Sequence, residues 1–235
     1  MYQHNDQPIS DLAYFRTLVA DTTRIPLLEA AASLAQDEYP GLDLQKVLFR
    51  IDEFGKGLAE RCRNASTEQK RLQITATYFY RELGFAGNVN DYYDPENSFI
   101  HKVLEKRRGI PISLAIIFME LAGIVGLSAE GISFPGHFLI KVNLHEGPVV
   151  LDPFTGSSLS KDDIGERLGA YRQHLGLAED QEVPIGMFLQ SANARAILLR
   201  MLGNLREIYG QQRQSEKLKR VLERIAILEP VQTAS

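Results

Sequence analysis

Cysteine is nearly absent from these 235 residues, Cys62 being the single instance. One thiol excludes an intrachain disulfide and every zinc arrangement built on paired cysteines. Positive charge is not in excess either: 26 Lys and Arg against 30 Asp and Glu leave a net charge of -4. Such a chain has no general attraction for nucleic acid or for an anionic membrane. No apolar run reaches the ~18 residues that suggest a membrane span. The opening MYQHNDQPISDLAYF does not place a basic segment before an apolar one, as a secretory leader does. These absences predict a cytoplasmic protein that needs no cofactor and has no membrane partner, with nucleic acid a poor candidate.

What is present suits a globular chain. A hydrophobic content of 44% with 24% charged residues is ordinary for a packed domain, and the length allows one sizeable core with a smaller helical appendage. Apolar residues recur at helical spacing in SDLAYFRTLVA and IPLLEAAASLAQ, with Ser10 as an N-cap and Pro26 in a first turn. After the Tyr39-Pro40-Gly41 break, Leu44, Val47, Leu48, Ile51, Phe54 and Leu58 form the stripe of a third helix from Asp43 to about Arg63. Cys62 lies near its end, and no His or acid nearby in sequence marks it as activated, which makes it a small buried residue. Ser66-Thr67-Glu68 opens a fourth helix rich in aromatic residues.

GNVNDYYDPENSF reads as a structured connector of turn-forming residues. Its three carboxylates do not follow the alternating oxygen pattern of a hard-cation loop. Asn97 or Ser98 can cap the helix SFIHKVLEKRR, with Gly109 at the left-handed C-cap and His101 and Glu105 as an exposed pair one turn apart. Arg107 and Arg108 complement the dipole of that helix end, and a second use is the anion-binding edge of a cleft.

The chain is organised around Arg107 to Gly156. Pro111 starts a helix, ISLAIIFMELAGIVG, that is apolar nearly all round and ends at Gly126. SAEGISF, HFLIKVNL and PVVLD follow as three strands of an antiparallel sheet packed on that helix. A hairpin turning between Asn143 and Glu146 places His137 directly opposite Asp152 on one face; a turn at Glu146-Gly147 shifts the register and separates them. Ser160 and Asp163 resemble a capping box that starts a helix through IGERLGAYRQHL, and a break at Val183 to Gly186 follows. Two amphipathic helices, ANARAILLRMLGNLREIYGQQRQ and SEKLKRVLERIAILEP, resemble one tetratricopeptide unit that docks on the main body, with Pro230 closing the second.

RRGIPISLAIIFMELAGIVGL, FPGHFLIKV and VVLDPFTG, with DYYDPENSF and RMLGNLREIY, together resemble the bacterial SirB-type proteins. That family is transglutaminase-like, with a C-terminal part similar to tetratricopeptide repeats. The resemblance covers roughly residues 67–230. It implies an α+β, mostly helical protein: a papain-type core over residues 67–182, an N-terminal helical region over 1–66, and a helical C-terminal region over 183–235. In active transglutaminase-like enzymes the nucleophilic Cys stands in a pattern Gly-x-Cys-x-x-x-Ala. Gly109 and Ala115 match it, His137 and Asp152 match its His and Asp, and Pro111 occupies the Cys position.

Acyl transfer by such a triad needs a thiolate or alkoxide, an imidazole to exchange its proton and a carboxylate to orient the imidazole. Pro111 supplies no nucleophile. Ser113 is the nearest hydroxyl, but two residues along an α-helix is about 200° of rotation, which turns Ser113 away from position 111. The expectation is an inactive domain that binds a protein or peptide in a regulatory role. The alternatives are a hydrolase or acyltransferase using Ser113, His137 and Asp152, and a transcriptional regulator, which the acidic balance opposes.

Overall fold

A computed structural model describes residues 10–169, 171 and 184–229. Helix α1 (Asp11–Leu18) starts at the Ser10 cap, and α2 (Leu27–Ser33) follows Pro26. A 3-10 turn leads to α3 (Leu44–Cys62), capped by the Asp43 carboxylate, and Thr67 caps α4 (Glu68–Ala76). α4 continues into a π-helical segment, Thr77–Glu82. Its wider turn brings Phe79 into a stack with Phe85, 4.4 Å between centroids, and edge-on to Phe118.

Short strands β1 (Ala86–Gly87) and β2 (Arg108–Gly109) pair in parallel and flank a 3-10 segment, Pro95–Ser98, and helix α5 (Ile100–Lys106). Two expectations for this region are corrected. Phe99, not Asn97 or Ser98, stands at the N-cap of α5, because Asn97 and Ser98 lie inside the 3-10 turn. The left-handed C-cap is Arg107 at φ 57, not Gly109. Gly109 serves close packing instead: a Cβ there would stand 2.7 Å from Ser113 Oγ and 3.1 Å from Val103 Cγ1.

The next helix, α6 (Pro111–Ile124), is buried at every position from Pro111 to Phe118. It packs on an antiparallel sheet in the order β3 (Ser128–Ile132), β4 (Leu139–Leu144), β5 (Gly147–Leu151), β6 (Ser158–Leu159). Ile140, Val142 and Leu151 join the core around α6. Leu139 and Val150, on the other face, pack with Ile164 and Leu168 of α7 (Lys161–Gly169). Cover on both faces accounts for the unbroken apolar run Phe138-Leu139-Ile140, where a one-sided sheet alternates.

Ser160 and Asp163 form the expected reciprocal cap, with the Ser160 N–H donating to Asp163 Oδ2 at 2.7 Å and the Asp163 N–H to Ser160 Oγ at 3.1 Å. The end of the predicted IGERLGAYRQHL helix, Val183 and Pro230 lie outside the described residues. A short turn, α8 (Ile185–Phe188), precedes α9 (Ala194–Gln211) and α10 (Ser215–Leu228). α9 packs against α2, α6 and the 3-10 segment, and α10 reaches α1. One apolar cluster therefore contains side chains from Phe15 to Leu228.

Candidate functional site

His137 precedes β4 and Asp152 follows β5, so both stand just beyond the ends of a hairpin. The hairpin turns at His145-Glu146, pairing Leu144 with Gly147 and Ile140 with Leu151. This register is offset by two residues from the one that sets His137 directly opposite Asp152. An even offset keeps both residues on one face, diagonal to each other. The Gly147 backbone, at φ 128, takes a conformation that side chains disfavour and so holds the turn there.

His137 Nε2 lies 2.9 Å from Asp152 Oδ1. The same oxygen accepts the Phe154 N–H at 2.9 Å, and Oδ2 accepts from Arg167 Nη2 at 2.9 Å. Asp152 is buried, with 2% of its side chain exposed, against 23% for His137. Burial pushes its carboxyl up, but the His137 hydrogen bond and charge, the Phe154 N–H and Arg167 outweigh burial and hold it down at about 2. An ionised carboxylate only accepts, so the ring nitrogen that faces it, Nε2, carries a proton.

Arg200 of α9 fixes the loop that carries His137. Its Nη1 donates to Ser133 Oγ at 2.9 Å and to the Phe134 carbonyl at 3.2 Å, and its Nη2 donates to the His137 carbonyl at 3.0 Å. Gly136 turns this loop at φ 65, where a Cβ would collide with the Tyr171 hydroxyl. The imidazole opens on a cavity of about 240 Å³ whose lining includes Pro111 and Ile112 from α6, Tyr92 and Tyr93 from the connector, and Arg200 and Asn204 from α9. The N-terminal turn of α6 thus presents a pyrrolidine ring and an apolar chain to the cavity.

Ser113 is fully buried, and its hydroxyl shares its one proton between the carbonyls of Asn97, at 2.6 Å, and Ile110, at 3.0 Å. No hydrogen bond joins it to His137 among the described residues. The carbonyl it holds belongs to the residue that shapes the connector. Asn97 Nδ2 donates to the carbonyls of Asp91 at 2.6 Å and Tyr92 at 3.2 Å, and Asn97 Oδ1 accepts from Asn88 at 2.9 Å. Ser113 and Asn97 together set the backbone from which Tyr92 and Tyr93 reach the cavity.

Two of the connector's three carboxylates, those of Asp94 and Glu96, have structural partners. Asp94 caps the 3-10 turn at the Glu96 N–H, and Glu96 accepts from Tyr39 at 2.7 Å and pairs with Lys106. Among the described residues no group of three His, Cys, Asp or Glu is placed to hold a metal. Cys62 is buried at the end of α3, and burial pushes its thiol up.

Arg107 and Arg108 do not line the His137 cavity. Arg108 donates to the Gly84 and Arg107 carbonyls, both at 2.8 Å. The Arg107 guanidinium lies over Phe54 and Phe85, at 4.5 and 4.7 Å from the ring centroids. The expected exposed His101–Glu105 pair does not form: His101 packs edge-on to Tyr39 at 4.6 Å with both ring nitrogens buried, and Glu105 pairs with Lys102 at 3.2 Å.

Arg167, Arg200, Asn204, Tyr92 and Tyr93 were not singled out in the sequence. Arg200 and Asn204, with Glu207, recur at helical spacing and form a polar stripe on α9, a readable signal. Nothing in the sequence says that this stripe meets His137.

The Transglutaminase-like superfamily matches residues 45–203, more than half of the chain and a span that includes α6, His137, Asp152 and Arg200. The chain belongs to this family. It is also 35% identical over 213 residues to a UPF0162 protein of Xylella fastidiosa, covering 90% of this chain and 75% of that one. A UPF0162 protein of Vibrio cholerae is 30% identical over 187 residues, 79% of this chain and 67% of that protein. Over a shorter stretch of 131 residues the chain is 32% identical to F-box only protein 21 of Homo sapiens, covering 54% of this chain and 20% of that protein. No solved structure matches. The transglutaminase-like family assignment and the α+β architecture expected from the sequence are therefore established, and the relatives include bacterial UPF0162 proteins. Among the described residues no helix is long and apolar enough to cross a membrane.

Proposed function

We propose that this transglutaminase-like protein is a non-catalytic binding module whose His137 cavity receives an extended segment of a protein or peptide, in a regulatory role. The observation that carries this reading is the lining of the cavity. Where an acyl-transfer site needs a thiol or hydroxyl beside the imidazole, α6 offers Pro111 and Ile112, and the Ser113 hydroxyl is engaged by backbone carbonyls on the far side. Water-exposed recognition groups remain: Tyr92 and Tyr93 are 41% and 63% exposed, and Asn204 offers an amide that can both donate and accept with a peptide backbone. A further support is the human relative, in which the similar stretch is a fifth of a longer protein, as suits a module.

Selection of peptides from a random library on the purified full chain tests the proposal. Selected peptides should bind Tyr93→Ala and Asn204→Ala about tenfold more weakly, the loss typical of a central aromatic or amide contact. Peptidase, amidase or acyl-transfer turnover that disappears in His137→Ala would overturn it, and loss of that turnover in Ser113→Ala as well would favour a serine hydrolase.

A further inference from the structure

We propose that the depression between α3 and the C-terminal end of α5 is an oxyanion site for a phosphate monoester, formed by Arg107, Arg50 and Lys46. Its lining, which also includes Asp43, His101 and Glu105, shares no residue with the His137 cavity. The proposal is therefore independent of the peptide-binding reading.

Arg107 is an unusual residue for its position. Its backbone is left-handed at φ 57, where glycine or asparagine is cheaper, and it is held there by N–H donation to Val103 and by acceptance from Ala86. Its guanidinium is ordered by the Phe54 and Phe85 rings. Among the described residues no carbonyl or carboxylate takes any of its side-chain N–H groups, and Nη1 is buried without a partner. The two rings cover the guanidinium and Nη1 is buried, which leaves the edge formed by Nε and Nη2 for a ligand, an edge that can bind an oxyanion with two parallel hydrogen bonds.

A second guanidinium stands nearby. Arg50 lies over the same Phe54 ring, 5.0 Å from its centroid, and burial, with the Arg50 charge as the second cause, holds the Arg107 pKa below the usual arginine range. The local carboxylates are engaged weakly and in solvent. Arg50 meets Glu53 at 3.5 Å, Lys46 meets Asp43 at 3.5 Å with 84% of the lysine side chain exposed, and Glu105 pairs with Lys102. An ordered, unpaired guanidinium beside a like charge gains from a multivalent oxyanion that bridges both. A phosphate monoester carries nearly two charges and three acceptor oxygens near neutral pH.

Calorimetric titration of the full chain with inorganic phosphate, a nucleoside monophosphate and a phosphoserine peptide, each against chloride at equal ionic strength, tests this. Saturable phosphate binding is expected, weakened about tenfold or more in Arg107→Gly and in Arg50→Gln. Glycine suits the Arg107 backbone, and Arg50 is exposed, so at least one variant keeps its fold. Tighter binding of the nucleotide or of the peptide than of inorganic phosphate tells which source carries the group. Titrations that do not saturate, or that are unchanged in Arg50→Gln and a folded Arg107→Gly, overturn the proposal. Library-selected peptides that still bind these variants at the His137 cavity keep the two readings separate.

Discussion

Asp152 carries three side-chain bonds from groups that approach from different parts of the chain: the His137 imidazole, the Phe154 backbone and Arg167 of α7. Its folded pKa, about 2 against the ordinary 3.8, lies below the unfolded value. The stabilisation is thus fully present above about pH 4 and is lost as pH falls through about 2. Its size is on the order of 2 kcal/mol, from about 1.4 kcal/mol per pKa unit. Asp152→Asn removes this contribution. Urea denaturation at a series of pH values should show wild type more stable than the variant by about this amount near pH 6, with the gap closing between pH 4 and pH 2. A constant gap across that range would mean that the carboxylate charge is not what stabilises the site. At this scale the sequence was informative about His137 and Asp152 because their residue types are tied to one chemistry. It was uninformative about Arg167 and Arg200, because an arginine on an amphipathic helix reads as a solvated charge until the helix is docked.

Helices were the most legible elements, since Ser10, Asp43, Thr67 and Ser160 cap where their side chains suggest. The segment around α5 was less so. Gly109 looks like a left-handed cap in sequence, yet Arg107 takes that conformation two residues earlier, because β2 must begin at Arg108 to pair with β1. The need for glycine at position 109 is tertiary: β2 lies against Ser113 and Val103 with no room for a methyl group. Gly109→Ala should therefore destabilise the protein by about 1–3 kcal/mol, the range for overpacking a filled core. Thermal unfolding followed by circular dichroism checks this. Arg107→Ala makes the comparison, because it changes the residue that does hold positive φ. If Gly109→Ala is neutral, β2 is looser than its contacts require. The hairpin offset has a similar cause: alternation fixes which face a residue occupies but not its partner, and a two-residue loop moved the pairing by an even step.

Across the whole molecule, the last helix closes on the first third of the chain through charge as well as apolar packing. The Arg224 side chain is fully buried, bonds to Asp37 through Nε at 2.6 Å and Nη2 at 2.9 Å, and lies over Phe15 at 4.8 Å. Beside it, Glu38 accepts from Tyr209 and, at 2.7 Å, from Lys217. Residues separated by nearly the length of the chain cannot be paired by periodicity, so this clasp is invisible in the sequence although each helix is plain. A buried pair is costly to break and often cheap to replace, because removing one partner strands the other charge, whereas removing both leaves only shape to refill. Asp37→Ala should lower stability by about 3–5 kcal/mol, while Asp37→Leu combined with Arg224→Met should recover most of that loss. Urea midpoints at unchanged transition slope measure both. A double variant no more stable than Asp37→Ala would show that the clasp holds through the Ser33 carbonyl and the Phe15 ring more than through the Asp37 carboxylate. Recovery, by contrast, would identify Asp37 as the partner whose charge makes a fully buried arginine tolerable between the two ends of the fold.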